Sequence, residues 1–115
     1  MPDESPLTWS EFTRVDMRVG TVVSARPFPE ARNPSYVLVI DFGPEIGERK
    51  SSAQITDLYR PEELVGRQVI AVVNFPPKQI ATVMSECLIL GAVGDNKSVT
   101  LLQPDAPVPN GTRIG

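Results

Sequence analysis

The sequence predicts a small, mostly-β domain. Short runs rich in β-branched and aromatic residues recur along its 115 residues, Gly and Pro pairs close them, and the twelve prolines sit in the intervening loops and not in a linker. Strands on either side of a short helix placed between the third and fourth is the order expected of an OB-type Greek-key barrel.

The elements follow in chain order. Thr8-Trp9-Ser10-Glu11 has capping-box spacing, which predicts a helical turn through about Arg14 with Trp9 and Phe12 on one face. From Arg18 to Arg26 the alternation is that of a strand, with Val19, Thr21, Val23 and Ala25 on one side and Arg18, Val22, Ser24 and Arg26 on the other. Gly20 within it marks a bend or bulge. Pro27, Pro29 and Pro34 stiffen the loop that follows, which carries Phe28, Arg32 and Asn33.

Tyr36 to Phe42 is the second strand, closed by Gly43-Pro44, and Glu48 to Gln54 is a more polar third. Helical turns are expected over Ile55 to Leu58 and at Pro61-Glu62-Glu63-Leu64, the latter with Pro at its start and Gly66 at its end. Arg67 to Phe75 is the central strand, apolar on both faces from Val69 to Val73. Glu86 to Val93 and Ser98 to Leu102 form a hairpin across Gly94-Asp95-Asn96-Lys97.

Composition narrows the chemistry. With 41% apolar and 22% charged residues the chain is ordinary for one globular domain over residues 1–115, with residues 1–11 as a short leader. Histidine is absent, which removes Ser-His and Cys-His nucleophiles and imidazole metal ligands. Cys87 stands alone in an apolar run and reads as a small buried hydrophobe, so the expectation is no enzyme, no metal and no cofactor. Glu62-Glu63 and the pair Glu45 and Glu48 read as solvated charge. No apolar run is long enough to span a membrane and no secretory leader is visible, and with a single cysteine the expected compartment is the cytoplasm. The net charge of −3 comes from residues 1–17, where Asp3, Glu4, Glu11 and Asp16 face Arg14 alone. The remaining 98 residues hold ten basic and ten acidic side chains, so any nucleic-acid contact must come from a local patch and be weak and salt-sensitive.

The most informative segment is Asn74-Phe75-Pro76-Pro77-Lys78-Gln79-Ile80, followed by Ser85-Glu86-Cys87-Leu88. Two adjacent prolines end the preceding strand and present one cation on an extended path. Together with Asp16-Met17-Arg18-Val19-Gly20 and Pro107-Val108-Pro109-Asn110-Gly111, this segment resembles the tRNA-binding domain family, from about Phe12 to Ile114. Phe28-Pro29-Glu30-Ala31-Arg32, Ser51-Ser52-Ala53-Gln54-Ile55-Thr56 and Asn74 to Ala81 resemble more narrowly its export-related bacterial chaperone branch. The resemblance implies an all-β, OB-fold five-stranded Greek-key barrel with N- and C-terminal extensions, and the barrel topology rests on it.

The resemblance also implies the site. Lys78 and Ser85 fall at the family's nucleic-acid-binding surface, although Lys78 also fits a solvated lysine and Ser85 a turn cap. Arg32, Asn33, Ser51, Ser52 and Gln54 fall where an OB barrel presents its face and rim. Asn74 either joins them or orients the loop from within. Phe28, Phe75, Ile80, Val83 and Met84 are candidate apolar contacts for an extended peptide. Of the aromatics, Phe28 is expected exposed, because its neighbouring prolines make the loop hard to bury, whereas Phe42 and Phe75 suit the core.

Two functions are implied. One is a protein-export chaperone that holds unfolded precursors, engages the export machinery and has a weak tRNA-binding capacity. The other is a tRNA or structured-RNA binder with no chaperone role. A homodimer is expected from the family's pairing through terminal segments and from Trp9, Phe12, Val99, Leu101 and Leu102.

Overall fold

Residues 5–115 are described by the computed structural model; residues 1–4 of the expected leader, with Asp3 and Glu4, lie outside the described residues. Chain order is α1 (Trp9–Thr13), β1 (Met17–Pro27), β2 (Tyr36–Asp41), β3 (Glu48–Ala53), α2 (Pro61–Leu64), β4 (Gln68–Val72), β5 (Lys78–Ile80), β6 (Val83–Ser85), β7 (Leu88–Ile89), β8 (Gly91–Val93) and β9 (Val99–Leu101). Five antiparallel strands in the order β3-β2-β1-β4-β7 curl into a nearly closed, OB-like barrel. The expected all-β barrel is therefore present, and the short helix α2 lies between its third and fourth strands.

The capping box forms as expected. Glu11 donates its N–H to Thr8 Oγ1 at 3.1 Å, and Thr8 donates its N–H to the Glu11 carboxylate at 3.0 Å, satisfying donors that a helix start leaves orphaned. The backbone and hydroxyl of Thr8 hold the Glu11 carboxyl below the usual carboxylate range. Trp9 and Phe12 meet edge to face, with ring centroids 6.5 Å apart. Glu63 acts similarly on α2, accepting from the Arg60 N–H at 2.9 Å.

β1 departs from simple alternation. Its register against β2 shifts between Val22 and Ser24, so Val23 is the extra residue of a bulge and points outward. Before the bulge, Val22 packs in the core with Leu38, Ile40, Phe42, Leu64 and Val69, and Val19 is also buried. Gly20 lies three residues before Val23 and serves another purpose. A Cβ there would sit 2.6 Å from Ile40 Cγ2 and 2.7 Å from Phe42 Cδ1, so its hydrogen makes room for those two side chains.

The terminal extension docks onto the free edge of β1. Gly111 donates to the Val19 carbonyl, Val19 to that of Thr112, and Ile114 to that of Met17. Thr21 donates its hydroxyl to Asn110 Oδ1 at 2.7 Å, and the Gln68 amide brackets Val108 from both its N–H and its carbonyl. Arg18 links this strap to the chain entry, donating to the Gly111 carbonyl at 3.0 Å while paired with Asp16 at 2.6 Å.

Three expected elements differ. Residues 56–58 form an isolated turn, not a helix. The expected strand from Glu86 to Val93 breaks at Leu90: β7 pairs with β4, while β8 turns away to form the hairpin with β9. The segment after Pro77 is itself a hairpin, β5 against β6, turning through Ala81 at φ 47°.

The two ends of the barrel meet through mixed contacts. Glu86 donates its N–H to the Lys50 carbonyl at 2.8 Å, and Lys50 donates its own to the Glu86 carboxylate at 3.0 Å. Ser51, fully buried, donates its hydroxyl to the Cys87 carbonyl at 3.1 Å. These bonds close β3 against the chain entering β7.

Candidate functional site

A cleft of about 550 Å³ opens between the loop after β1, the end of β3 and the β5–β6 hairpin. Each wall has a local cause. The loop folds back on itself, with Phe28 donating to the Ser35 carbonyl and Ala31 to that of Phe28, and this turns Arg32 and Asn33 toward the cleft. The β3 strand delivers Ser52, and Gln54 follows it; the hairpin register sets Lys78 directly opposite Ser85. Ile80 and Leu88 supply the apolar part of the lining.

Seven of the sequence-predicted residues thus converge: Arg32, Asn33, Ser52, Gln54, Lys78, Ile80 and Ser85. The others lie elsewhere. Ser51 points into the barrel, as its pairing with the Cys87 carbonyl requires. Asn74 is structural: it donates to the Arg14 carbonyl at 2.6 Å and accepts from the Asp16 N–H at 3.0 Å, fixing the chain between α1 and β1.

The aromatic expectations reverse. Phe28 is buried, only 2% exposed, because the folded-back loop presses its ring against Val37 and Val83 in a small second core. The Arg26 guanidinium covers that ring at 5.9 Å. Val83, also buried, is likewise removed from the contact surface. Phe75, expected in the core, is 57% exposed, because its strand ends at Val72 and leaves it on the Pro76-Pro77 loop. Phe75 and Met84 are both exposed but stand outside the cleft lining.

The electrostatics of the cleft are one-sided. Arg32 and Lys78 are cationic, no carboxylate lines the cleft, and neither cation is engaged in an ion pair among the described residues. Ser85 Oγ accepts from the Ser52 N–H at 3.2 Å, so its position is set by the barrel seam. Cys87 reaches the cleft wall, but burial pushes its thiol up to about 12 and leaves it protonated and unreactive at neutral pH.

Two further clefts branch from this one. Ser52, Gln54 and Leu88 also border an apolar arm of about 380 Å³ with Ile55, Val93 and Val99. Asn33 and Gln54 also border a polar arm of about 190 Å³ with Asp57, Asn96 and Lys97. Gln54 stands at the junction of all three. Sequence reasoning missed Leu88 and Lys97; Lys97 was assigned only to a hairpin turn, and nothing local announces that this turn borders the same arm as Gln54.

Residues 17–113 match the model of a family described as a putative tRNA binding domain. The structure resembles that of chaperone CsaA from Bacillus anthracis str. Ames, with 50% identity, a TM-score of 0.91, and coverage of 96% of this chain and 100% of the other. It also resembles CsaA chaperone protein from Picrophilus torridus, at 47% identity and a TM-score of 0.89, over 96% of this chain and all of that one. A methionine–tRNA ligase of Pyrococcus furiosus is 36% identical over 108 residues, which is 94% of this chain and 14% of the ligase. The chain therefore spans about one seventh of the ligases it matches.

Proposed function

The chain belongs to the putative tRNA-binding domain family, and on that premise we propose a CsaA-like export chaperone that holds extended segments of unfolded precursors in its cleft and binds tRNA weakly at the same place. The observation that carries this reading is the lining of the cleft. Two cations that make no ion pair among the described residues, four hydrogen-bonding side chains (Asn33, Ser52, Gln54 and Ser85) and an apolar strip of Ile80 and Leu88 face one open channel lined, among the described residues, by no carboxylate. Such a surface accepts phosphates through Arg32 and Lys78, and accepts a peptide backbone and an apolar side chain through the remainder. Similarity across the whole length of two CsaA structures supports the chaperone half.

This is a binding protein and not an enzyme. Two cations neutralise few phosphates, so tRNA affinity is modest and falls with salt. A cytoplasmic location fits the tRNA partner. The export machinery enters as the destination of the precursors held.

A second reading, RNA binding with no chaperone role, is favoured by the burial of Phe28 and Val83, which removes two of five expected apolar contacts. Competition separates the two. A fluorescently labelled tRNA bound to the protein is challenged with a chemically unfolded precursor across a salt series. Displacement of tRNA by the precursor supports one shared cleft; simultaneous binding overturns it, and absence of precursor binding leaves the RNA reading alone.

A further inference from the structure

The polar arm differs in kind from the main cleft. It is lined by Asn33, Gln54, Thr56, Asp57, Asn96 and Lys97, with the ring of Pro34 as its apolar face. Among the described residues none of these six side chains is engaged in a hydrogen bond or ion pair within the chain. One carboxylate and one ammonium, Asp57 and Lys97, share a space about a third the size of the main cleft, 190 against 550 Å³. A lone carboxylate works against a polyanion, so phosphate binding does not account for Asp57.

The backbone adds a second observation. Asn96 and Lys97 both take left-handed conformations, at φ 57° and 63°, although neither is glycine. They are the two central residues of the tight turn closed by the Ser98 N–H to Asp95 carbonyl hydrogen bond, which requires positive φ at both positions. The turn between β8 and β9 sets Asn96 and Lys97 along the same arm as Gln54, Thr56 and Asp57, which follow β3.

We propose that this arm is a nucleobase pocket selective for guanine, reached by an unstacked base of an RNA whose backbone follows Arg32 and Lys78. Guanine presents two adjacent donors, N1–H and the N2 amino group, and two adjacent acceptors, O6 and N7. A carboxylate accepts both donors in parallel, and a lysine donates to O6 and N7. Adenine places an amino group where Lys97 donates and an unprotonated nitrogen where Asp57 accepts. Cytosine offers Asp57 only one donor. The Asn33, Gln54 and Asn96 amides complete the rim, and Pro34 packs on the base plane, as unstacked bases are commonly held on a flat side chain.

The inference rests on the RNA half of the proposed function, and the test keeps the two apart. Single-stranded oligouridines carrying one central guanosine, inosine or adenosine are titrated against the protein at one fixed salt concentration. Guanosine is expected to bind at least about fivefold tighter than inosine, which lacks the N2 amino group, and tighter still than adenosine, this being the low end for a bidentate base contact. Asp57→Asn, on an exposed turn, should abolish the guanosine preference while leaving affinity for plain oligouridine unchanged or raised. Lys97→Gln should lower guanosine binding. Equal affinity for the three oligonucleotides, or a preference that survives Asp57→Asn, overturns the pocket while leaving the RNA reading intact. Failure of every oligonucleotide and of tRNA to bind overturns both.

Discussion

Ser85 Oγ lies 3.2 Å from the backbone nitrogen of Ser52 and accepts its hydrogen bond, joining the β5–β6 hairpin to the outer edge of β3. The residue that resemblance marks as a ligand contact is therefore also part of the seam that closes the barrel. Ser85→Ala should lower stability by about 1–3 kcal/mol, because it leaves a part-buried N–H without its partner. Urea denaturation measures this. Wild-type stability in that variant would show that water replaces the hydroxyl and that Ser85 serves the ligand alone.

Phe28 and Phe75 should respond to truncation in opposite ways. Phe28→Ala empties the small core shared with Val37 and Val83 and should cost about 3–5 kcal/mol. Phe75→Ala and Met84→Ser remove exposed surface and should change stability by less than about 0.5 kcal/mol. Thermal melts of the three variants decide it, and a stable Phe28→Ala protein would return that ring to the contact surface.

These two aromatics also mark how far the sequence could be read. The capping box at Thr8, the strand runs at Tyr36 and Val69, and the Pro61 helix start are local signals, and each forms where expected. Resemblance groups Lys78 with Ser85, and the hairpin sets the two opposite each other. Phe28 was not legible, because its burial depends on a loop folding back through the Phe28 to Ser35 hydrogen bond, which composition does not reveal. The bulge at Val23 was equally hidden. It is set by the register against β2, whereas the visible glycine three residues before it accommodates Ile40 and Phe42.

Cys87 should resist thiol reagents and govern part of the alkaline behaviour. Burial raises its folded-state pKa from an ordinary 9.0 to about 12. The unfolded thiol ionises first, so the stability contribution is complete below about 9.0 and is lost progressively as pH rises toward about 12. Alkylation at pH 8 should proceed only as fast as the chain opens, and Cys87→Ala should flatten the fall in stability above pH 9. Rapid labelling of folded protein would refute the burial argument.

Leu7, Trp9 and Phe12 line a shallow apolar depression, and Trp9 is 84% exposed. Of the residues on which the two-fold dimer is expected, Trp9 and Phe12 belong to this depression and Leu102 is exposed, whereas Leu101 is buried and donates its N–H to the Tyr59 hydroxyl and Val99 packs against the core. Light scattering at micromolar concentration should return twice the 12.6 kDa chain mass, and Trp9→Ser should lower it toward one chain. A 12.6 kDa species for the wild type would refute the dimer.

Lys78→Ala should weaken tRNA binding by a similar factor for different tRNA sequences and reduce the salt slope by about one, since a lysine neutralises one phosphate without reading bases. Arg32→Ala should do the same, and the double variant should approach the sum of the two, because the cations come from separate walls of the cleft with no carboxylate between them. Precursor binding should largely survive both changes at a salt concentration that abolishes tRNA binding, since apolar burial along Ile80 and Leu88 is not screened. Filter binding of tRNA and aggregation suppression of an unfolded precursor, each run with and without added salt, separate these outcomes. Loss of both ligands in Lys78→Ala would mean that charge alone holds the peptide, and the apolar strip would then have no part in the cleft's function.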